Sequence, residues 1–172
     1  MIKIIPVITL ALIATACVSA ERNVLTTDSN RSVKKTASYT SVKNGLVTLK
    51  SNYSVKITAD RFESIAKNKG LTVFTRINHQ KNAAGVDLNL RPTEVIIFGN
   101  PRAGTPLMQC AQSVAIDLPQ KVLISEDAQG IVYLRYNDPE YLRVRHNIQG
   151  CDKVINNISM LLSNLSIAAT TK

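Results

Sequence analysis

The chain has 172 residues, room for one folded domain and hardly for two. Its net charge of +9, from 21 basic and 12 acidic residues, favours weak contact with anionic surfaces. Nucleic-acid binding is not expected: there is no Cys/His finger and no Trp, aromatics make up only 5% of the chain, and no basic run is interleaved with them.

The opening run, "MIKIIPVITLALIATACVSA", has a lysine at position 3 and then an uncharged, mostly apolar stretch. It is too short and wrongly flanked for a transmembrane helix, and residues 1–20 read as a secretory signal. Two cleavage readings stand. "VSA" before Glu21 suits signal peptidase, while "ATAC" resembles a bacterial lipobox, which would make Cys17 a lipid-bearing first residue. Either reading puts the folded part in the periplasm or outer cell envelope, with membrane contact through the anchor if Cys17 is acylated. Residues 21–45 are polar, rich in Ser, Thr and Lys, and without apolar period, as in a flexible linker spanning on the order of 25–30 Å.

The domain is expected over residues 46–172. Leu49, Tyr53, Val55 and Ile57 share one parity, as in a half-buried strand. "TADRFESIAKNKG" then reads as a helix capped by Thr58 and stopped by Gly70. "LTVFTRI" is a second strand and "NHQKNAAGVDL" a short helix or turn. "EVIIF" is a third strand, apolar on both faces and therefore expected to be central. A short helix is expected from Thr105, with Pro106 at its first position. "KVLIS" and "IVYLRY", joined by a polar turn ending in Gly130, form a hairpin. Asp138 and Pro139 start another helix. Val154, Ile155, Ile158, Leu161, Leu162 and Leu165 recur at helical spacing in the last one. The pattern is α+β: a two-layer sandwich of a mainly antiparallel sheet with helices on one face. A second copy of the domain is one way to bury the other face.

"FGNPRAGTPLM" stands out between the third strand and the next helix. It is nearly a phosphate loop, G-x-x-x-x-G-K-[ST], but Thr105 stands where lysine is needed. Pro101 and Pro106 have no N–H to present. A weaker reading keeps an anion site at the amides of Leu107 and Met108 beside Arg102, with Arg91 before the strand; the alternative is that Gly99, Asn100, Pro101 and Gly104 only shape a tight connection.

Two longer segments, "INHQKNAAGVDLNLRPTEVIIFGNPRAGTPLM" and "AIDLPQKVLISEDAQGIVYLRYNDPEYLRVRH", resemble the DUF302 domain. The shared features are a histidine after a strand, the F-G-N-P-x-x-G-T-x-L-M run, a D-L-P step and a Y-x-D-P-x-Y-L type segment. The resemblance spans roughly residues 47–147; Asn78 and Cys110 are mild departures. It implies a two-layer α/β fold of the TBP-like kind, often dimeric, and no established activity.

His79 matches the family histidine and can act as a base or ligand, or serve as a hydrogen-bonded structural residue. His146 follows a basic helix end, where the helix dipole is an adequate explanation. Cys110 and Cys151 are the cysteines outside the signal segment, and an extracytoplasmic setting permits a bridge between them. No metal spacing, serine elbow or paired carboxylates appear, and no cofactor is expected. The expectation is a non-enzymatic, homodimeric ligand-binding or interaction domain. Its site would comprise His79, Arg102, Gly104 and Thr105, and its ligand would be small and anionic or polar. The alternative is a hydrolytic or redox enzyme using His79 or Cys110.

Overall fold

The computed structural model describes residues 40–41 and 44–172. The expected signal segment, the lipobox at Cys17 and most of the 21–45 stretch lie outside them. Among the described residues, six strands form one sheet, with every neighbouring pair antiparallel, in the order β1-β2-β6-β5-β4-β3. These are β1 (Thr40–Ser41), β2 (Leu46–Lys50), β3 (Thr72–Asn78), β4 (Thr93–Gly99), β5 (Gln120–Glu126) and β6 (Val132–Asn137). The helices are α1 (Val55–Asn68), α2 (His79–Ala84), α3 (Pro101–Cys110), α4 (Pro139–Arg145) and α5 (Asp152–Thr170), with a 3-10 helix over Gln112–Ile116. The α+β class and the two-layer arrangement are those expected.

Alternation along the strands explains the layers. Val47 and Leu49 of β2, Ile96 and Phe98 of β4, Val122 and Ile124 of β5, and Leu134 and Tyr136 of β6 are buried under the helices. Against them α1 sets Phe62 and Ala66, and α5 sets Ile155, Ile158, Leu162 and Leu165, one apolar face at helical spacing. Phe62 meets Phe98 edge to face, ring centroids 5.0 Å apart, locking α1 on β4. Arg61 fastens the far end of α5. Its guanidinium donates to the carbonyls of Ala168, Ala169 and Thr171 at 2.8–3.0 Å, which the helix end leaves unpaired.

Several local expectations are corrected. The first strand ends at Lys50, and Tyr53, Val55 and Ile57 are not in it. Ser54, not Thr58, caps α1 by accepting from the Ile57 amide at 3.3 Å. Thr58 is buried inside the helix and bonded to Ser51 Oγ at 2.7 Å. The sheet also takes in Thr40–Ser41, within the stretch expected as linker. β4 is second from the edge rather than central, and only one of its faces is buried. The opposite-face residues Val95, Ile97 and Leu123 are half-exposed.

Gly45, at φ +73°, opens β2 in a conformation that favours glycine. The Tyr141 ring of α4 lies where a Cβ would stand, and the Gly45 carbonyl accepts from the Asp138 amide at 2.8 Å.

Candidate functional site

The loop after β4 is shorter than the sequence suggests. α3 starts at Pro101, four residues before the expected Thr105. Asn100 is the cap: its side chain accepts from the Arg102 amide at 2.9 Å, and its carbonyl accepts from Ala103 and Gly104 at 2.9 and 3.0 Å. Pro101, at the first position, has no N–H to satisfy. Every amide of the first turn is therefore used within the helix, and the expected anion site at Leu107 and Met108 is replaced by helix interior. Gly104, Thr105 and Pro106 lie inside α3.

What this early start builds is a partly open cavity of about 280 Å³. One wall is the signature segment itself: Gly99, Asn100, Pro101, Ala103, Gly104 and Thr105. Leu71 and Phe74 at the head of β3 and Phe98 at the end of β4 form another. Ile158, Leu161 and Leu162 of α5 close the side, and Ala115, Leu118, Pro119 and Gln120 the base. The two glycines are wall positions. A Cβ on Gly104 would come 3.7 Å from Leu118, and one on Gly99 would come 3.5 Å from Phe74 and Pro119. Among the described residues, no charged side chain lines this space. Its one deeply buried polar group is Gln120, 9% exposed, whose Nε2 has no hydrogen-bond partner.

The expected site residues are divided by this geometry. Gly104 and Thr105 line the cavity. Arg102, on the same helix, is exposed and outside the lining. His79 lies at the other end of the sheet. Thr72 pairs with Gly99 at one end of the β3–β4 ladder and Asn78 with Glu94 at the other, about 20 Å away at roughly 3.3 Å per residue. Arg91, just before β4, is at that far end too, and donates to the Glu126 carbonyl at 3.2 Å. The His79 ring is exposed and has no hydrogen-bond partner among the described residues. A small anionic ligand held jointly by His79 and Arg102 would have to span the length of β4.

Near the His79 end a second, polar cleft of about 600 Å³ opens around Arg76. The guanidinium bonds the buried Glu94 carboxylate through Nε and Asp60 through Nη1 at 2.6 Å, with Glu63 at 3.5 Å. The charges answer one another, so the cleft reads as a structural ion network. Hydrogen bonds from Lys56 and then Arg76 hold the Asp60 carboxyl below the usual carboxylate range. Lys67, against the opposing cost of burial and with help from Arg76, does the same for Glu63.

Two further pairings join residues distant in sequence. Cys110 is bonded to Cys151, Cα atoms 6.4 Å apart, tying the last residue of α3 to the cap of α5. While bridged, Cys110 offers no thiolate. His146 sits between Asp117, Nε2 to Oδ2 2.6 Å, and Ser113, Nδ1 to Oγ 3.1 Å. Such a chain orients a base toward a hydroxyl, but neither Ser113 nor His146 lines the cavity. Its evident work is to fasten the 3-10 helix to the end of α4. Sequence reasoning missed it because Ser113 and Asp117, in and just after the 3-10 helix, are 33 and 29 residues from His146 at the end of α4; only the basic helix end before His146 drew notice.

Fold and site together define a two-layer α+β domain with an apolar cavity at one end of its sheet. The chain belongs to the DUF302 family, described as a domain of unknown function, which matches residues 47–165. It is similar to the crystal structure of an uncharacterized conserved DUF302 protein from Bacillus stearothermophilus. The TM-score is 0.66 at 17% identity, covering 73% of this chain and 98% of that one, which shows the shared fold. It is also 46% identical over 107 residues to proteins named fluoride-specific ion channel FluC 1 from Brucella suis and Brucella abortus, covering 62% of this chain. The match spans only 42% and 40% of those proteins. No helix among the described residues is long and apolar enough to cross a membrane.

Proposed function

We propose that this chain is a non-enzymatic, ligand-binding module of the bacterial cell envelope, secreted or lipid-anchored through Cys17. The observation that carries the binding function is the cavity, whose wall is the signature segment of residues 99–105. At about 280 Å³ it lies at the small end of the range for ligand pockets, and it is apolar with one convergent polar group, as such pockets are. The same argument moves the ligand away from a free anion: an ionised group buried in an uncharged lining would be costly. The envelope location rests on residues 1–20 alone.

Fluorescence titration with 1-aminoanthracene tests the binding. The wild-type protein is expected to bind one equivalent saturably. Gly104→Leu is expected to abolish this, because its side chain enters the cavity beside Leu118. The substitution should not lower thermal stability, since it replaces a helical glycine. Unsaturable binding, or binding untouched by Gly104→Leu, would overturn the reading.

The half-exposed apolar residues Val95, Ile97 and Leu123 on the sheet face away from the helices support assembly as a homodimer as part of this proposal. Sedimentation should give a dimer for the wild type and a monomer for Leu123→Glu.

A second reading is favoured by the Brucella relatives: the domain serves as an extramembrane module of an ion-transport protein. Deletion of this chain should then lower the fluoride tolerance of its host. Unchanged tolerance speaks against it.

A further inference from the structure

We infer that the cavity takes the tail of a single-chain amphiphile: an alkyl group of about nine carbons lies inside, past Phe74, and the polar head stays in water at the mouth. This deepens the ligand-binding reading above and rests on it.

The mouth is built by a bulge. β3 and β4 pair Val73 with Phe98 and then Thr75 with Ile97, so Phe74 is an extra residue between two rungs. In unbroken register Phe74 would oppose Ile97 and share its face, away from the helices. Instead Phe74 borders the cavity, on the side of the sheet where Phe98 is buried. Its ring is 54% exposed, so it carries the apolar surface of the cavity out to the solvent.

The lining grades from dry to wet. Phe98 and Leu162, each 1% exposed, and the buried Leu71 and Ile158 form the inner part. Phe74, Pro101 and Thr105 form an exposed rim. The polar groups of the lining follow the same division. Thr105 is at the rim, and the Asn100 Oδ1 already accepts from the Arg102 amide. The Gln120 amide nitrogen has under 1 Å² of accessible surface and does not open on the space. The inner part therefore offers dispersion contact to a tail, while a polar head costs less left in water at the rim. The volume, about 280 Å³, holds roughly nine heavy atoms at about 30 Å³ each, which suits one tail of medium length.

The test is displacement of 1-aminoanthracene from the purified protein by n-alcohols from hexanol to dodecanol, and by decanoate and decyltrimethylammonium, all below their micelle concentrations. Affinity is expected to rise about fourfold per methylene up to about nine carbons and then to level. Decanol, decanoate and decyltrimethylammonium should agree within about tenfold, since a head in water escapes the far larger penalty of burial. Phe74→Ala should weaken decanol binding about tenfold through the lost ring contact, and should leave the melting temperature unchanged because the ring is half in water. A gain that continues with length would mean a longer tail, such as a bilayer lipid's, and would overturn the inference. So would loss of binding by both charged heads, unchanged affinity in Phe74→Ala, or failure of every alkyl compound to displace the probe. Each of these leaves the pocket reading standing, because that reading fails only in the binding of 1-aminoanthracene itself, in which case both fall. The wild-type series needs no variant, so the test survives a Phe74→Ala protein that fails to fold.

Discussion

Phe98 and Gln120 face each other across the β4–β5 ladder, one apolar ring beside one amide, and both form part of the same cavity. Their positions are fixed by antiparallel register, not by a loop. Phe98 is further held by its edge-to-face contact with Phe62. The base of the cavity is therefore as rigid as the core, while its wall, residues 99–105, is the first part of a helix capped by Asn100. A site built on such elements is preorganised.

The bond between Cys110 and Cys151 joins the two helices that wall the cavity. It closes a loop across a sequence separation of 41, for which the chain-entropy account gives about 4 kcal/mol of stabilisation. Cys110→Ser with Cys151→Ser is expected to lower stability by about 3–4 kcal/mol in urea unfolding. It should also weaken 1-aminoanthracene binding, because α3 loses its tie to α5. Unchanged affinity at reduced stability would show that the walls hold without the bond.

Arg76 answers three carboxylates, one of them Glu94, which is only 6% exposed. Removing the cation leaves a buried charge without its partner, so Arg76→Ala should cost about 3 kcal/mol or more. Adding Glu94→Gln should recover part of this. The carboxyls of Asp60 and Glu63 are held below the usual range in the folded chain. Their contribution is therefore fully present above the unfolded values and is lost as pH falls below about 4. Thermal unfolding at falling pH should show the wild type losing more stability over that interval than Arg76→Ala, which starts lower. Parallel losses would remove Arg76 from the acid response.

His146 joins Asp117 and Ser113, and through them the 3-10 helix at the cavity base to α4. His146→Ala should cost about 1–3 kcal/mol, since it leaves the part-buried Asp117 carboxylate with Arg145 alone at 3.5 Å. Calorimetry checks this. A shift of the melting temperature within error would mean that the hydrogen-bonded chain carries no stability.

Much of the fold was legible because hydrophobic period is a strong signal. Ile155, Ile158, Leu162 and Leu165 announce α5, and Gly130 with its flanking strands announces the β5–β6 hairpin. The start of α3 was not legible, because two cap-and-proline pairs compete within it. Asn100-Pro101 and Thr105-Pro106 carry the same signal, and tertiary packing selects the first. The same chemistry at Asp138-Pro139 had no competitor and was read correctly. Tyr53, Val55 and Ile57 alternate like a strand, yet Ser54 caps a helix there. For the site, the signature segment pointed to the right loop, but grouping it with His79 ignored the length of β4 between them. The cavity has no local signature at all. Its lining comes from β3, β4, α3, the base turn and α5, elements far apart in sequence.

The most direct measurement is an amide shift map, by two-dimensional NMR of the ¹⁵N-labelled protein titrated with 1-aminoanthracene. The account predicts saturable shifts centred on residues 99–105, 115–120 and 158–162. Shifts spread over the face of Val95, Ile97 and Leu123, or no saturable shifts at all, would contradict it.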